Sequence, residues 1–599
     1  MAHLSLIVDP DPARRTEFVT QVQKLFAELP GVTASERRIG NASVVWAAGK
    51  HAPVDVHCTA SQLGLIIGYA IDSLGQRVNA ARLADQWLHA ETARHAYDGY
   101  YVGIAFDERA GLSVGADLLG LFPLHYAEPV RGALVVSTTP RAFSCHPRFV
   151  RCIDRLGLAG ILMTNGLVDD RPLLAGTRRL ALGHRLRASP GQAACEVEVY
   201  RVSEPAAAVR ETMGEMRERI AHELLCAIRR HRPAGDDTLL MLSGGLDSRL
   251  IAGCLCELDI PTRAVSIGQP TDHEMRAAEA VACQLQMPFE MVAAESCPAA
   301  FVSEVRQSAR FGGLAAAPGA DGFAAGLAAA RTRARHAWSG VPFDWLFEPV
   351  SRHSGFDIAR GTWSFDEMIC HVNMWGVPLA HLPELLGHDG EELCAEVMRS
   401  IRTRCAAGPL PVDRQSALYR WEQRVRSHLA SALHSVSSVS WPLLFSTDRS
   451  LFNALYWLPH EAYPDRRLEK EIMMARRPDL AAIPLDTNSF HFDPVGGGKG
   501  SLIGNVAGSL VRRTRRAIQP LFPATDSRRY ERLFNVDHPR WVAVRQDAER
   551  LRAKVEQHLD PKTLSAVWPS PRRRLRSRKP IEHGTPVRLL VGLAYALEG

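Results

Sequence analysis

The chain has 599 residues, with 71 Lys+Arg against 65 Asp+Glu, 23 His and 12 Cys, for a formal net charge of +6. Hydrophobic residues make up 46% and charged residues 23%, a globular balance that excludes wholesale disorder, a collagen-like repeat and a disulfide-stapled miniprotein. No apolar run reaches the ~18 residues of a spanning helix, and so mild a positive charge does not argue for nucleic acid as a partner. The start, Met1-Ala-His-Leu-Ser-Leu-Ile-Val-Asp9, has neither a basic n-region nor a long apolar h-region, so no signal peptide is read and a cytoplasmic protein with reduced thiols is expected. The closest cysteines are Cys254-x-Cys256, with no CxxC pair and no zinc-ligand spacing. Almost all the positive charge is Arg, which makes the few lysines worth examining.

Taken in chain order, the first two hundred or so residues read as β-rich. Short apolar runs over Leu4–Val8, Ser43–Ala47, Gly64–Ile71, Tyr100–Phe106, Leu112–Val114 and Ala133–Val136 are separated by turn residues such as Asp107-Glu-Arg-Ala-Gly111 and Glu128-Pro-Val-Arg-Gly132. That spacing predicts layered antiparallel sheets. Arg201–Arg210, with Pro205 and an Ala run, reads as a linker. Beyond it, Met213, Met216, Ile220, Leu224 and Ile228 form one helical stripe over Glu211–Arg230. A strand over Thr238–Leu242, the turn Ser243-Gly-Gly-Leu-Asp-Ser-Arg249, a helix over Leu250–Leu258, a strand over Thr262–Ile267 and a helix over His273–Leu285 then alternate, which implies a parallel sheet. From about residue 365 the pattern is mostly helical, and the tail carries basic tracts at Arg512–Arg516 and Arg572–Lys579, read as solvated faces.

The sharpest feature is Ser243-Gly-Gly-Leu-Asp-Ser248 between a strand and a helix. Two glycines let the backbone curl so that successive N–H groups converge at a helix N-terminus, an arrangement suited to phosphates. Ser243 and Ser248 add hydroxyls. No Gly-Lys-Ser/Thr follows, so this is not a Walker loop. Asp247 would repel a phosphate unless a cation lay between them, which points to a Mg²⁺ ligand.

These residues resemble the pyrophosphate loop of the ATP-pyrophosphatase superfamily, and the chain is similar to the asparagine synthetase family in particular. Ser266-Ile-Gly268 lies where that family contacts adenine, His273–Ala282 looks like its DExxxAxxVA helix with His273 for the Asp, and Ser339-Gly-Val-Pro-Phe-Asp344 looks like its SGxGxD segment with Pro342 for the second Gly. Trp441-Pro-Leu-Leu-Phe and Leu458-Pro459 look like its "PFLD…LP" region. Gly99–Asp107, Gly115–Tyr126 and Leu180-Ala-Leu-Gly-His184 look like strands of the family's glutaminase half. The resemblance implies mixed α/β and α+β architecture in two domains. Residues 1–205 would form an Ntn-hydrolase-like αββα sandwich, and residues 206–599 a doubly wound parallel sheet carrying the PP-loop, with a helical extension and basic tail. It also implies ATP and Mg²⁺, an ATP and pyrophosphate site at Met241, Ser243, Gly244, Gly245, Leu246, Asp247, Ser248, Ile267, Gly268, Ser339 and Gly340, and metal ligation by Asp247 and Asp344.

Active glutaminases of this family use an N-terminal Cys exposed by loss of Met1, with its α-amine as base. Here position 2 is Ala2 and the first Cys is Cys58, so glutamine hydrolysis is expected to be lost and the domain to serve as a scaffold. Relatives without the Cys use an amine of the substrate itself on an acyl-adenylate. Val341 stands where β-lactam-forming relatives have Tyr, and length and the Arg476–Pro484 stretch look more like lasso-peptide macrolactam synthetases. Those imply a precursor peptide as substrate, closed through an Asp or Glu side chain onto its N-terminal amine, with a leader peptidase and a precursor-recognition element as partners. An ammonia-dependent asparagine synthetase, a β-lactam-type small-molecule synthetase and a non-catalytic ATP-sensing relative remain alternatives. The family meets α-phosphate charge with a Lys after the "LP" region. Lys499, in Gly496-Gly-Gly-Lys-Gly500, and Lys470, in a helical stretch, are the candidates.

Overall fold

The computed structural model describes residues 2–89, 95–204, 211–235, 238–293, 298–314, 323–485, 495, 532, 534–575 and 580–598. The linker stretch from residue 205, the Arg512–Arg516 tract, residues 576–579 and Lys499 lie outside the described residues.

The first two hundred residues form two stacked antiparallel sheets. The first, in spatial order, runs Thr177–Arg179, His125–Val130, Ala133–Ser137, Ala2–Val8, Ala42–Gly49, Val32–Ile39. The second runs Cys195–Glu198, His184–Ala188, Gly111–Ala116, Asp98–Asp107, Gln62–Ile71, Val54–Cys58. Alternation assigns the faces. Leu4, Leu6, Val44 and Trp46 point into a core shared with Leu65, Ile67, Tyr100 and Val102 of the other sheet. Ile7, Val45 and Val135, on the opposite face of the first sheet, pack on Phe18, Val22 and Phe26 of the Pro12–Ala27 helix. Ile66, Ala70 and Tyr101 do the same for the second sheet against Leu83 and Trp87 of the Ala80–Leu88 helix. The layers are therefore helix, sheet, sheet, helix. Each apolar run read from the sequence is a strand here, longer by one to three residues at its ends. The stretch Glu128–Gly132 is not a turn throughout: Glu128-Pro-Val130 completes a strand, and the ladder slips between Ala133 and Val135. That irregularity accommodates Pro129, which has no N–H to donate.

The later part is built on five parallel strands in the order Phe289–Val292, Thr262–Ile267, Thr238–Met241, His336–Trp338, Trp441–Leu443. Leu240, Ala264, Ile251, Ala278 and Ile220 belong to the core on one face of this sheet. Leu239, Val265, Leu327, Ala330 and Val436 form the core on the other. Strand order reverses beside Thr238–Met241: the two strands that follow it in sequence lie on one side, and the two later ones on the other. In such sheets a crevice opens at the carboxyl ends of the strands flanking the reversal.

The two parts meet along the outer parallel strand. Trp441 is fully buried against Tyr100, with ring centroids 5.7 Å apart, and its Nε1 donates to Tyr100 O at 3.3 Å. Nearby, Arg230 holds Asp448 in two 2.7 Å bonds, and Tyr69 accepts from Leu444 N at 2.9 Å while bonding His231 Nδ1 at 3.0 Å.

Candidate functional site

The Thr238–Met241 strand ends in a loop that its own side chains fold. Leu242 N donates to Val265 O at 3.0 Å, extending the parallel pairing one residue. Ser248 Oγ donates to Ser243 O at 3.0 Å, accepts from Ser243 N at 3.0 Å and lies 2.9 Å from Ser243 Oγ. Gly245 N donates to Ser243 Oγ at 3.2 Å. The Leu246–Glu257 helix begins directly after Gly245, four residues before the start expected from apolar periodicity, so Leu246, Asp247 and Ser248 form its first turn. Ser248 is thus a staple within the loop rather than a free hydroxyl, whereas Ser243 is exposed.

Arg249 fixes the loop from behind. Its guanidinium is fully buried and donates to Gly244 O at 3.0 Å, Leu480 O at 3.0 Å, Ile483 O at 2.6 Å and Pro484 O at 2.9 Å. The Arg476–Pro484 stretch therefore buttresses the loop. Across the strand-order reversal, the His336–Trp338 strand delivers Ser339 and Gly340. A Cβ on Gly340 would stand 3.2 Å from Asp247 Cβ and 3.6 Å from Ser248 N, so glycine here permits the two segments to touch. Phe343 N then donates to Gly340 O at 2.7 Å, turning the chain into the short Phe343–Leu346 helix that carries Asp344.

Both segments open into one cavity of about 1350 Å³. Ser243, Gly245 and Asp247 line it, as do Ser339, Gly340 and Asp344. Met241, Leu246, Ser248 and Ile267 line it too. Two expected residues do not. Gly244 turns its carbonyl to Arg249, and Gly268 spends its N–H on Val292 O at 3.0 Å. The acid sought at His273 stands one residue earlier: Asp272, fully buried, takes Arg532 bidentately at 2.7 and 2.6 Å. Lys470 lines the cavity and pairs with Asp465 at 2.5 Å. Lys499 lies outside the described residues.

Charged residues missed in the sequence line the same cavity or lie buried behind its wall. Arg466 pairs with Asp247 and with Glu469, its Nε donating to Glu469 Oε2 at 2.7 Å. Burial pushes the Glu469 carboxyl up to about 7 against the pull of Arg466, and does the same to Glu348, also to about 7, with Asp465 adding repulsion. The Asp344 carboxylate opens to the cavity but lies deep in protein, so burial raises its pKa against the Trp345 N–H and the charges of Arg420 and Arg424. Arg420 is pushed down to about 10 by burial, and His353 down to about 4. Arg420 immediately precedes a π-helical stretch, Trp421–Leu429, that carries Arg424. Arg424 stacks on Trp375 at 3.9 Å. Beyond this wall the cavity continues to His3, His125 and Thr138 of the first sheet. Glu422 does not reach the cavity lining and pairs with Arg404 at 2.9 Å.

Ala2 is fully buried and pairs with Ala48 in the strand ladder. Cys58 is exposed. Among the described residues no group of three or more His, Cys, Asp or Glu has the arrangement of a metal-binding cluster, and no helix is long and apolar enough to cross a membrane.

Residues 219–308 match the family model described as asparagine synthase. This segment contains the Ser243–Ser248 loop, the Thr262–Ile267 strand and the helix after it. No curated protein matches the chain. One similar solved structure is described as the allosteric regulatory enzyme of purine biosynthesis, at 9% identity over 49% of this chain and 82% of that one, with a TM-score of 0.23. Another is glutamine phosphoribosylpyrophosphate amidotransferase from B. subtilis with ADP and GMP, at 9% identity over 48% of this chain and 65% of that one, with a TM-score of 0.21.

Proposed function

We propose that the chain is an ATP-dependent carbon–nitrogen ligase that activates a carboxylate of a precursor peptide and closes a macrolactam with the peptide's own N-terminal amine, releasing AMP and pyrophosphate. The observation that carries the reading is convergence. The Ser243–Ser248 loop and Ser339–Gly340, far apart in sequence, meet at the reversal point of a parallel sheet and open into one cavity with Asp247 and Asp344. The asparagine synthase match over residues 219–308 supports the same class.

ATP, consumed in the reaction, supplies the group that turns a carboxylate oxygen into a leaving group. Ser243 and the first turn of the Leu246–Glu257 helix are placed to bind phosphate oxygens. Asp247 and Asp344 offer hard oxygen donors of the kind Mg²⁺ takes, one or two carboxylates beside substrate phosphates. An open carboxylate whose pKa is raised by burial, as at Asp344, is the kind of group a cation would satisfy. Glu348 and the Asp465–Lys470 pair lie on the same wall. Glu348, held near neutrality, is suited to take the proton from an attacking amine.

Two features favour an intramolecular amine on a large substrate. Ala2, at the position where the glutaminases of the resembled family carry their catalytic Cys, is buried in a strand ladder, which supports an amine from the substrate rather than ammonia from glutamine. The cavity, about 1350 Å³, exceeds the roughly 300–1,000 Å³ of small-molecule sites. Holding both reacting ends together supplies the effective molarity that ring closure needs. The alternative is a ligase joining small molecules.

The test is the intact mass of a peptide encoded beside this gene, co-expressed with its neighbouring peptidase, with and without this protein. Loss of one water from the cleaved core, abolished by Asp247→Asn, is the expected result. A correctly cleaved core of unchanged mass would refute macrolactam formation, and turnover of ATP with aspartate and ammonium would then identify the alternative.

A further inference from the structure

Arg466 reaches the phosphate-type loop by a costly route. Asp465 and Arg466 are consecutive residues in the left-handed region, each with φ 54°, where a non-glycine residue is strained and persists only if its surroundings hold it there. The Arg467–Arg476 helix begins immediately after them. The two residues send their side chains to different partners. Asp465 neutralises Lys470 at 2.5 Å. Arg466 crosses to Asp247, on the first turn of the helix that follows the Ser243–Ser248 loop, and also binds Glu469, whose side chain has no exposed surface. Of the three cations on this turn, Arg466, Arg467 and Lys470, Arg466 is the one paired with the loop. Its guanidinium lines the cavity beside Ser243, Gly245 and Asp247.

A carboxylate at the mouth of an anion-binding loop opposes the anion the loop is shaped for, so it must be neutralised. Arg466 does this, and its side chain keeps 23% of its surface accessible. A guanidinium presents a planar fork of five donors that matches two phosphate oxygens, with stronger charge-assisted bonds than a neutral donor gives.

We propose that Arg466 is a phosphate-binding residue of this loop, a guanidinium stored on Asp247 that moves onto the oxygens of a polyphosphate when one enters. The proposal rests on the reading of Ser243–Ser248 as a phosphate cradle. It adds a cation to that cradle that is neither of the lysines singled out by sequence. Glu469 holds the Nε and Nη2 edge of the guanidinium that also meets Asp247, so the head group swings as one planar unit from the two carboxylates toward the loop and frees the Asp247 carboxylate for a cation. The strained turn serves to aim the side chain.

The experiment is calorimetric titration of the full chain with inorganic pyrophosphate in the presence of EDTA, which removes metal from the comparison. The proteins are wild type, Arg466→Lys and the double variant Arg466→Gly with Glu469→Gln. Glycine tolerates the left-handed backbone, and glutamine removes the carboxylate that would be left buried without its partner, so the double variant is built to fold. Its melting temperature checks this. The expected result is a loss of about 10- to 100-fold in pyrophosphate affinity in the double variant, the scale of one or two charge-assisted bonds. Arg466→Lys should show a smaller loss, because Lys lacks the fork. Equal affinity in wild type and the folded double variant would overturn the proposal while leaving the loop reading intact. Failure of wild type to bind either pyrophosphate or Mg²⁺·ATP would overturn the loop reading, and this proposal with it.

Discussion

Arg249→Met tests whether the loop's geometry is imposed from behind. The substitution keeps an unbranched apolar stem and removes the guanidinium, which donates to Gly244 O and Leu480 O in buried positions and to Ile483 O and Pro484 O in partly buried ones. A buried acceptor left without its donor costs about 1–3 kcal/mol. The two partly buried carbonyls recover water and cost about 0.5 kcal/mol each. Removing a cation from the interior returns part of its desolvation cost. The balance is a destabilisation of about 3 kcal/mol. The loop should respond more than the rest of the sheet, because Gly244 O loses the bond that orients its peptide. Urea unfolding gives the stability change, and pyrophosphate titration gives the effect on the loop. A stability loss below about 1 kcal/mol together with unchanged pyrophosphate affinity would refute the buttress argument.

Asp247→Asn should leave the melting temperature near that of wild type, since a partly exposed ion pair contributes about 0–1 kcal/mol. It should also reduce AMP release with peptide by about 100-fold or more, measured by nucleotide chromatography. Glu348 is held up to about 7 by burial, above the ~4.3 of an ordinary glutamate. The folded state therefore binds this proton more tightly than the unfolded one, and its stability contribution, full at low pH, is lost as pH rises through about 7. Glu348→Gln should flatten that decline in urea midpoints between pH 5 and 8 and remove the rising limb of turnover near neutrality; an unchanged pH profile would exclude Glu348 as the base. Gly68→Ala should cost about 2–4 kcal/mol by urea unfolding, because Gly68 has φ +104° and a Cβ there would stand 2.2 Å from Tyr100 O and 2.8 Å from Trp441 Cζ2.

The strands legible in the sequence are those whose burial is continuous, such as Gln62–Ile71 and Asp98–Asp107. Edge strands were not legible. Val32–Ile39 lies at the end of the first sheet with Ser35, Glu36, Arg37 and Arg38 in its middle, and Cys195–Glu198 lies at the end of the second with two Glu. Their pairing comes from a neighbour, which no local pattern records. At the site, Ser243–Ser248 stood out as a complete Ser- and Gly-rich turn between a strand and a helix, and Ser339–Gly340 only through its resemblance to the SGxGxD segment. Arg466, Arg420 and Glu348 did not stand out, because a charge in a helical run reads as solvent-facing, and only the fold turns it into a cavity, or buries it beside one as with Glu469. Lys470 stands between these cases: it makes the ion pair that a surface lysine makes, on the wall of the cavity. The left-handed pair at 465–466 has only a weak sequence signal, since Asp465 alone is of a type that tolerates this backbone.

The part of the chain without a thiol at position 2 still shapes the cavity, through the stretch Trp421–Leu429. One side of that stretch is bonded to loops of the first two hundred residues and to the end of their Arg155–Thr164 helix. Trp421 Nε1 donates to Leu119 O at 3.0 Å, Gln423 Nε2 to Thr164 O at 3.0 Å, and Arg426 Nε to Gly120 O at 3.3 Å with Asp170 at 3.1 Å from its Nη1. The approach is close enough to need glycine: a Cβ on Gly120 would stand 2.5 Å from Arg426 Nε, and one on Gly166 would stand 2.0 Å from Gln423 Nε2. The other side supplies Arg424 to the cavity, with Arg420 just before it. A π-helical turn holds more residues than an α-helical one, which changes which side chains share a face. The bonds to Leu119, Gly120, Thr164 and Asp170 fix that register, and with it the positions of both cavity arginines. The first two hundred residues are therefore needed here whatever chemistry they perform, because without them the arginine-bearing wall near Asp344 and Glu348 loses the contacts that set its geometry.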